Sequence, residues 1–161
     1  MGYLVLEGGA EFGGWMRDPD LRAIELAGGF DAPLRIIPTA AAPDDNHRRA
    51  GGNGVRWFQG LGARNVESLP LIDKASANDE EIANELRNAK LIYLLGGFTY
   101  YLGQTLKDST TWSAVVEAYN NGAVIDHASP LVDAQQSDIW NLLRQLRRPV
   151  LAERIVMRKH Q

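Results

Sequence analysis

The chain has no cysteine among its 161 residues. That excludes a disulfide scaffold, a thiol nucleophile and every zinc site built on cysteine. Histidine is scarce, with three residues at positions 47, 127 and 160, too dispersed for a histidine-rich metal centre. No metal and no cofactor is expected. No apolar run approaches the roughly 18 residues that a membrane-spanning helix needs. The opening Met1-Gly2-Tyr3-Leu4-Val5-Leu6-Glu7 lacks the basic stretch and long apolar core of a secretory signal. Charge of one sign is also lacking: 17 Lys and Arg against 20 Asp and Glu give −3, which argues against a dedicated nucleic-acid binder. The composition fits a cytoplasmic α/β domain with no membrane contact, 45% hydrophobic and 23% charged.

Glycine is what the chain has in quantity, 16 residues, many of them just after short apolar runs. Tyr3-Leu4-Val5-Leu6 leads into Glu7-Gly8-Gly9, Leu34-Arg35-Ile36-Ile37 into Pro38-Thr39, and Leu91-Ile92-Tyr93-Leu94-Leu95 into Gly96-Gly97. Val66 to Ile72 is a looser run holding Pro70, and Ala123-Val124-Ile125 follows Asn121-Gly122. Such short continuous runs read as strands buried on both faces of a parallel sheet. Helical patterns separate them: 19 to 28 with Pro19 near the start, 46 to 60, a third opened by the acidic Asn78-Asp79-Glu80-Glu81, then Thr99 to Leu106 and Thr111 to Tyr119. Negative charge at a helix start suits the macrodipole. Strand followed by helix, about five times over, predicts a doubly wound, flavodoxin-like parallel sheet with helices on both faces.

The last 25 residues differ in charge. Residues 137–161 carry six basic and two acidic side chains, net +4, so the whole-chain −3 leaves −7 for residues 1–136. Ile139, Leu142, Leu143 and Leu146 have helical spacing. The chain therefore divides into an α/β domain over 1–136 and a basic helical tail over 137–161. That tail packs on the domain or on a partner.

Ligands of an open parallel sheet bind beyond the carboxyl ends of its strands. Three loops there stand out: Glu7 to Gly14 with four glycines, Pro38-Thr39-Ala40-Ala41-Ala42-Pro43, and Leu95-Gly96-Gly97-Phe98-Thr99. The first has neither dinucleotide-binding spacing nor a phosphate-loop lysine. In the third, Gly-Gly before a helix start suits either an anion held by backbone N–H groups or simply a tight turn. Ile125-Asp126-His127-Ala128-Ser129-Pro130 holds Ser, His and Asp. Neighbours on one extended segment alternate in direction and do not form a catalytic triad with each other. Arg48 and Arg49 either meet a substrate carboxylate or lie on a solvated helix face. The four tryptophans, Trp15, Trp57, Trp112 and Trp140, read as packing residues.

Leu6-Glu7-Gly8-Gly9-Ala10-Glu11-Phe12, Ile36-Ile37-Pro38-Thr39-Ala40, Asn65-Val66 with Leu69-Pro70-Leu71, Leu91 to Thr99, and Gly122-Ala123-Val124-Ile125 stand in order at strand ends. Together, over residues 1 to about 125, they resemble the dipeptidase E and cyanophycinase family of serine peptidases, which has the class I glutamine amidotransferase-like fold. The resemblance implies a hydrolase whose serine sits at a sharp Gly-x-Ser-Ala-Gly turn after the fifth strand. Ungapped alignment puts Ser129 at the nucleophile position. Gly96 and Gly97 fall at the oxyanion loop, flanked by Phe98 and Thr99, with Gly8 and Gly9 on the neighbouring loop. His160 is the only downstream histidine and so the candidate base.

The sequence departs from that pattern at the turn. His127 and Leu131 replace its glycines, and Pro130, after the serine, has no backbone N–H to donate to an oxyanion. The family's catalytic histidine and acid lie further downstream, in a part that is missing if the chain ends at Gln161; Asp133 and Asp138 are acids without a matching context. The resemblance thus implies a hydrolase for small or Asp-containing peptides with reduced or lost activity. The alternative is a catalytically silent binding or assembly module, a homo-oligomer whose second copy covers the open sheet edge. A glutamine amidotransferase needs the cysteine that this chain lacks.

Overall fold

The computed structural model describes residues 1–8, 11–128 and 138–146. Five parallel strands, β1 (Tyr3–Glu7), β2 (Leu34–Ile37), β3 (Val66–Ser68), β4 (Leu91–Leu94) and β5 (Val124–Ala128), form one sheet in the order β1-β5-β4-β2-β3. Six α-helices accompany them: α1 (Arg17–Leu26), α2 (His47–Gly60), α3 (Glu80–Asn88), α4 (Thr99–Leu106), α5 (Thr110–Asn120) and α6 (Asp138–Gln145). The doubly wound α/β architecture read from the alternation of runs is the one observed.

Side-chain alternation along the strands sorts the core into two layers. Val5, Leu34, Ile36, Leu91, Tyr93 and Val124 meet α1 and α2 through Ala23, Ile24, Phe58 and Leu61. Ile37, Ile92, Leu94 and Ile125 meet α3 to α6 through Leu86, Leu102, Val115 and Leu142. The chain therefore leaves β1 and β2 toward one face and β4 toward the other. In an open parallel sheet, crevices form at the carboxyl ends where neighbouring strands diverge in this way, here between β2 and β4.

Local sequence explains most boundaries. The Asp79 carboxylate accepts the Glu81 and Ile82 N–H groups at the start of α3, and the Ser109 hydroxyl accepts the Trp112 N–H at the start of α5, so both helices have side-chain N-caps. Proline at 70 cannot donate to a ladder, and β3 is only three residues long, shorter than the apolar run from Val66 to Ile72 suggests. α6 buries Ile139, Leu142, Leu143 and Leu146, so the apolar stripe of the tail's helix is docked on the α3-to-α6 face of this chain.

Two readings need correction. β5 does not end at Ile125: it continues through Ala128, pairing Asp126 with Tyr93 and with Val5, and His127 with Leu94 and with Leu6. Parallel neighbours on both sides keep the strand extended there, so Asp126 and His127 are buried strand residues. Trp15 is not a packing residue, since it is 86% exposed within the short turn Gly14–Met16.

Phe58, fully buried on α2, meets Tyr93 edge-on at 5.3 Å and Phe12 at 6.4 Å between ring centroids. Truncating it empties the centre of the α1/α2 layer. Phe58→Ala is expected to cost about 3–5 kcal/mol of unfolding free energy, measured by urea titration. A loss below about 1 kcal/mol, the size of an Ile-to-Val change, would show that this layer is loosely packed.

Candidate active site and a buried acid cluster

The pairing register brings three strand ends to one level. Glu7 lies opposite Ala128, and Leu94 opposite both His127 and Ile37. The carboxyl ends of β1, β4 and β5 therefore share a rim. Gly96 occupies the centre of it, and a Cβ added there would stand 2.3 Å from the Ala128 carbonyl oxygen. Gly97 has φ +130°, and its Cβ would stand 2.8 Å from the Ala40 carbonyl oxygen. Both contacts are with backbone, so glycine is the residue that fits. The Phe98 N–H donates to the same Ala40 oxygen at 2.9 Å, which ties the Gly-Gly loop to the Pro38–Pro43 loop.

Of the residues singled out in the sequence, Gly96, Gly97, Phe98 and Thr99 thus lie at the carboxyl rim, with Phe98 exposed and Thr99 half-buried. Gly8, exposed, follows β1 on the same rim. The loop reaches Ala128, the residue before Ser129. Gly9, Ser129, Pro130, Leu131, Asp133 and His160 lie outside the described residues. Arg48 and Arg49 are exposed on the first turn of α2.

One rim group was missed from sequence. The Glu11 carboxylate accepts the Gly96 N–H at 2.6 Å. Burial pushes the Glu11 carboxyl up to about 7 against the lowering effect of this bond. Its position is fixed by the next residue. Phe12 has φ +56°, a left-handed conformation that costs a non-glycine residue about 1–3 kcal/mol. Its ring lies 5.5 Å from that of Tyr93, and this aromatic contact offsets the strain while holding Glu11 at the rim.

Beneath the rim, on the α1/α2 face, three carboxyls meet. Glu7 ends β1, Asp20 comes from the first turn of α1, and Asp126 lies in β5; they are 2%, 0% and 0% exposed. A ligand-capable oxygen from each lies within 4.8 Å of those of the other two. The Tyr93 hydroxyl donates to Glu7 Oε2 at 3.0 Å, and the Trp57 indole N–H to Asp20 Oδ2 at 2.6 Å. Beyond one another, Glu7 Oε1, Asp20 Oδ1 and both Asp126 oxygens have no well-aligned hydrogen-bond partner among the described residues. Burial pushes Glu7 up to about 9, and the Asp20 charge and the bond to Asp20 add to it. Burial lifts Asp20 to about 6 against the bonds from Trp57 and Glu7. Burial and the charges of Glu7 and Asp20 hold Asp126 well above the carboxylate range. These are also the residues that could hold a cation. The signal in the sequence was an aspartate inside the apolar run Val124-Ile125-Asp126.

His127 points to the opposite face. Its Nδ1 lies 3.1 Å from the Leu94 carbonyl oxygen, an acceptor, so Nδ1 carries the proton. Burial pushes the imidazole down to about 4, and its ring stands edge-on to Trp140 at 6.5 Å. Asp126 and His127 thus serve different layers, as strand alternation requires.

These features define a doubly wound α/β protein whose glycine-rich βα loops converge on the end of its fifth strand. The sequence model of peptidase family S51 matches residues 8–129, and the chain belongs to that family. Its structure is similar to that of a peptidase from an acI-B1 Actinobacterium, with a TM-score of 0.75 and 25% identity over 85% of this chain and 58% of that one. It is also similar to a peptidase E candidate from Listeria monocytogenes EGD-e, with a TM-score of 0.59 and 25% identity over 81% of this chain and 59% of that one. The chain thus spans less than two thirds of either relative. A comparison with curated proteins found no match. No helix among the described residues is long and apolar enough to cross a membrane.

A carboxyl raised on folding binds more protons in the native state between its ordinary and its raised value, so stability falls as pH rises through that interval. For Glu7 the interval runs from 4.5 to about 9, for Glu11 from 4.5 to about 7, and for Asp20 from 3.8 to about 6. In chelator-containing buffer the melting temperature is expected to fall steadily from about pH 5 to pH 9. Glu7→Gln keeps an acceptor for Tyr93 and adds an amide donor toward Asp20, so it should flatten the alkaline half of that fall. A wild-type profile level across this range would contradict the buried, protonated cluster.

Proposed function

We propose that the chain is a serine-peptidase-type hydrolase of the dipeptidase E and cyanophycinase kind, acting on small or Asp-containing peptides with reduced activity. The observation that carries this reading is the contact of Gly96 with the Ala128 carbonyl, which sets the Gly-Gly loop against the residue preceding Ser129. In this reading the Ser129 hydroxyl attacks the peptide carbonyl and its proton passes to a base, for which His160 is the candidate. The same proton then goes to the departing amine, and water releases the acyl group. Backbone N–H groups of Gly96 and Gly97 face the developing oxyanion, and the exposed rings of Phe98 and Tyr100 flank the entrance.

Reduced activity follows from two donors. Pro130 has no N–H, and the Gly96 N–H is held by Glu11. Loss of one oxyanion donor typically costs about 10²–10³ in rate. The same two facts favour the second reading, a catalytically silent module on this fold. There the open edge of β1, with Tyr3 exposed and Leu4 and Leu6 half-buried, is covered by a second copy of the chain.

Labelling with a fluorophosphonate serine probe decides between the readings. Slow labelling that disappears in Ser129→Ala is expected for the hydrolase, and a folded protein that stays unlabelled sinks it in favour of the silent module. Glu11→Ala frees the Gly96 N–H and is expected to speed labelling. If that variant labels more slowly than wild type, Glu11 belongs to the reactive machinery and does not obstruct it.

A further inference from the structure

We propose that Glu7, Asp20 and Asp126 form a buried site for one hard divalent cation, which joins β1, α1 and β5 beneath the rim. Neither family membership nor the fate of Ser129 enters this inference. It rests on the donor set, its outer partners and the unpartnered Asp126.

The donor set is all oxygen. Carboxylates suit Mg²⁺, Mn²⁺ and Ca²⁺ and offer nothing that selects a soft metal, so a search for cysteine or histidine ligands passes over this site. The spacing fits. Metal–oxygen distances of about 2.0–2.6 Å place two ligands on opposite sides of an ion about 4.0–5.2 Å apart, and the three oxygens here lie within 4.8 Å of one another.

The outer partners orient the ligands. Tyr93 holds Glu7 Oε2 and Trp57 holds Asp20 Oδ2, which leaves Glu7 Oε1 and Asp20 Oδ1 with no donor among the described residues beyond each other's carboxyl. Hydrogen bonds of this kind to ligating carboxylates are a regular part of metal sites.

Asp126 supplies the independent observation. It is fully buried, both of its oxygens lack a well-aligned partner among the described residues, and it reaches the other two carboxyls. An aspartate in that position without a well-aligned donor is costly. A divalent ion gives Asp126 a partner and neutralises two of the three charges.

Terbium(III), an oxygen-seeking luminescent ion, is the probe, because Trp57 touches a proposed ligand and sensitises emission from an ion bound there. Full-length protein is stripped with chelator and refolded with Tb³⁺, since the cluster is closed to solvent. The expected result is one Tb³⁺ per chain with emission excited through tryptophan, displaced by Ca²⁺ or Mn²⁺. Asp126→Asn and Asp20→Asn should each weaken binding by more than the about 10–100-fold that outer-partner changes cost. Trp57→Phe leaves the ligands in place and should abolish tryptophan-sensitised emission while one ion still binds by elemental analysis. That variant keeps the test decisive if an aspartate variant fails to fold. Absence of a stoichiometric ion, or sensitised binding that survives both Asp→Asn changes or Trp57→Phe, overturns the site.

Discussion

Three carboxyls that converge without solvent cannot all stay ionised unless something positive joins them. That constraint governs the α1/α2 side of the molecule. A single charged carboxylate in an apolar interior is already expensive, and like charges at this range raise one another further. Whatever relieves that repulsion, retained protons or a bound cation, also holds the end of β1 to the first turn of α1 and to the middle of β5. Tyr93 and Trp57 extend the connection into β4 and α2. Elements that the chain visits far apart in sequence are tied at one polar point inside an otherwise apolar layer.

The rim rests on this point. Phe12 packs on Tyr93, Tyr93 bonds Glu7, and Glu11, next to Phe12, caps the Gly96 N–H. The Gly96-Gly97 loop is thus linked to the packing below it by a short series of contacts. On the other face His127 bonds Leu94 and meets Trp140 of α6. Side chains of the last strand accordingly report to both layers, Asp126 to one and His127 to the other.

The alternation of apolar runs and helical stripes made the architecture legible, because parallel strands buried on both sides leave an uninterrupted apolar signature. The loops could be placed as well, since glycine pairs after such runs mark positions where backbone meets backbone. The acid cluster was not legible. Asp126 lies more than a hundred residues from Glu7 and Asp20, and nothing local distinguishes Asp20 from the exposed acids around it. Asp126 was misplaced because Asp and His usually end a strand, and here the neighbours on either side override that preference. Trp15 shows the converse: a large aromatic is buried only if an element is there to cover it.

Tyr3 pairs with Val124 and Glu7 with Ala128, while β2, β3 and β4 all lie between them in the chain. β1, synthesised before the other four strands, pairs with β5 among the described residues. Its loop must close over more than a hundred residues before a single ladder bond of that pair can form, so the mean sequence separation of contacts is high and folding is correspondingly slow. On the ribosome this strand waits unpaired, its apolar residues exposed, until β5 has emerged. The interval in which the molecule is open to wrong strand partners is set by the position of β5 in the chain.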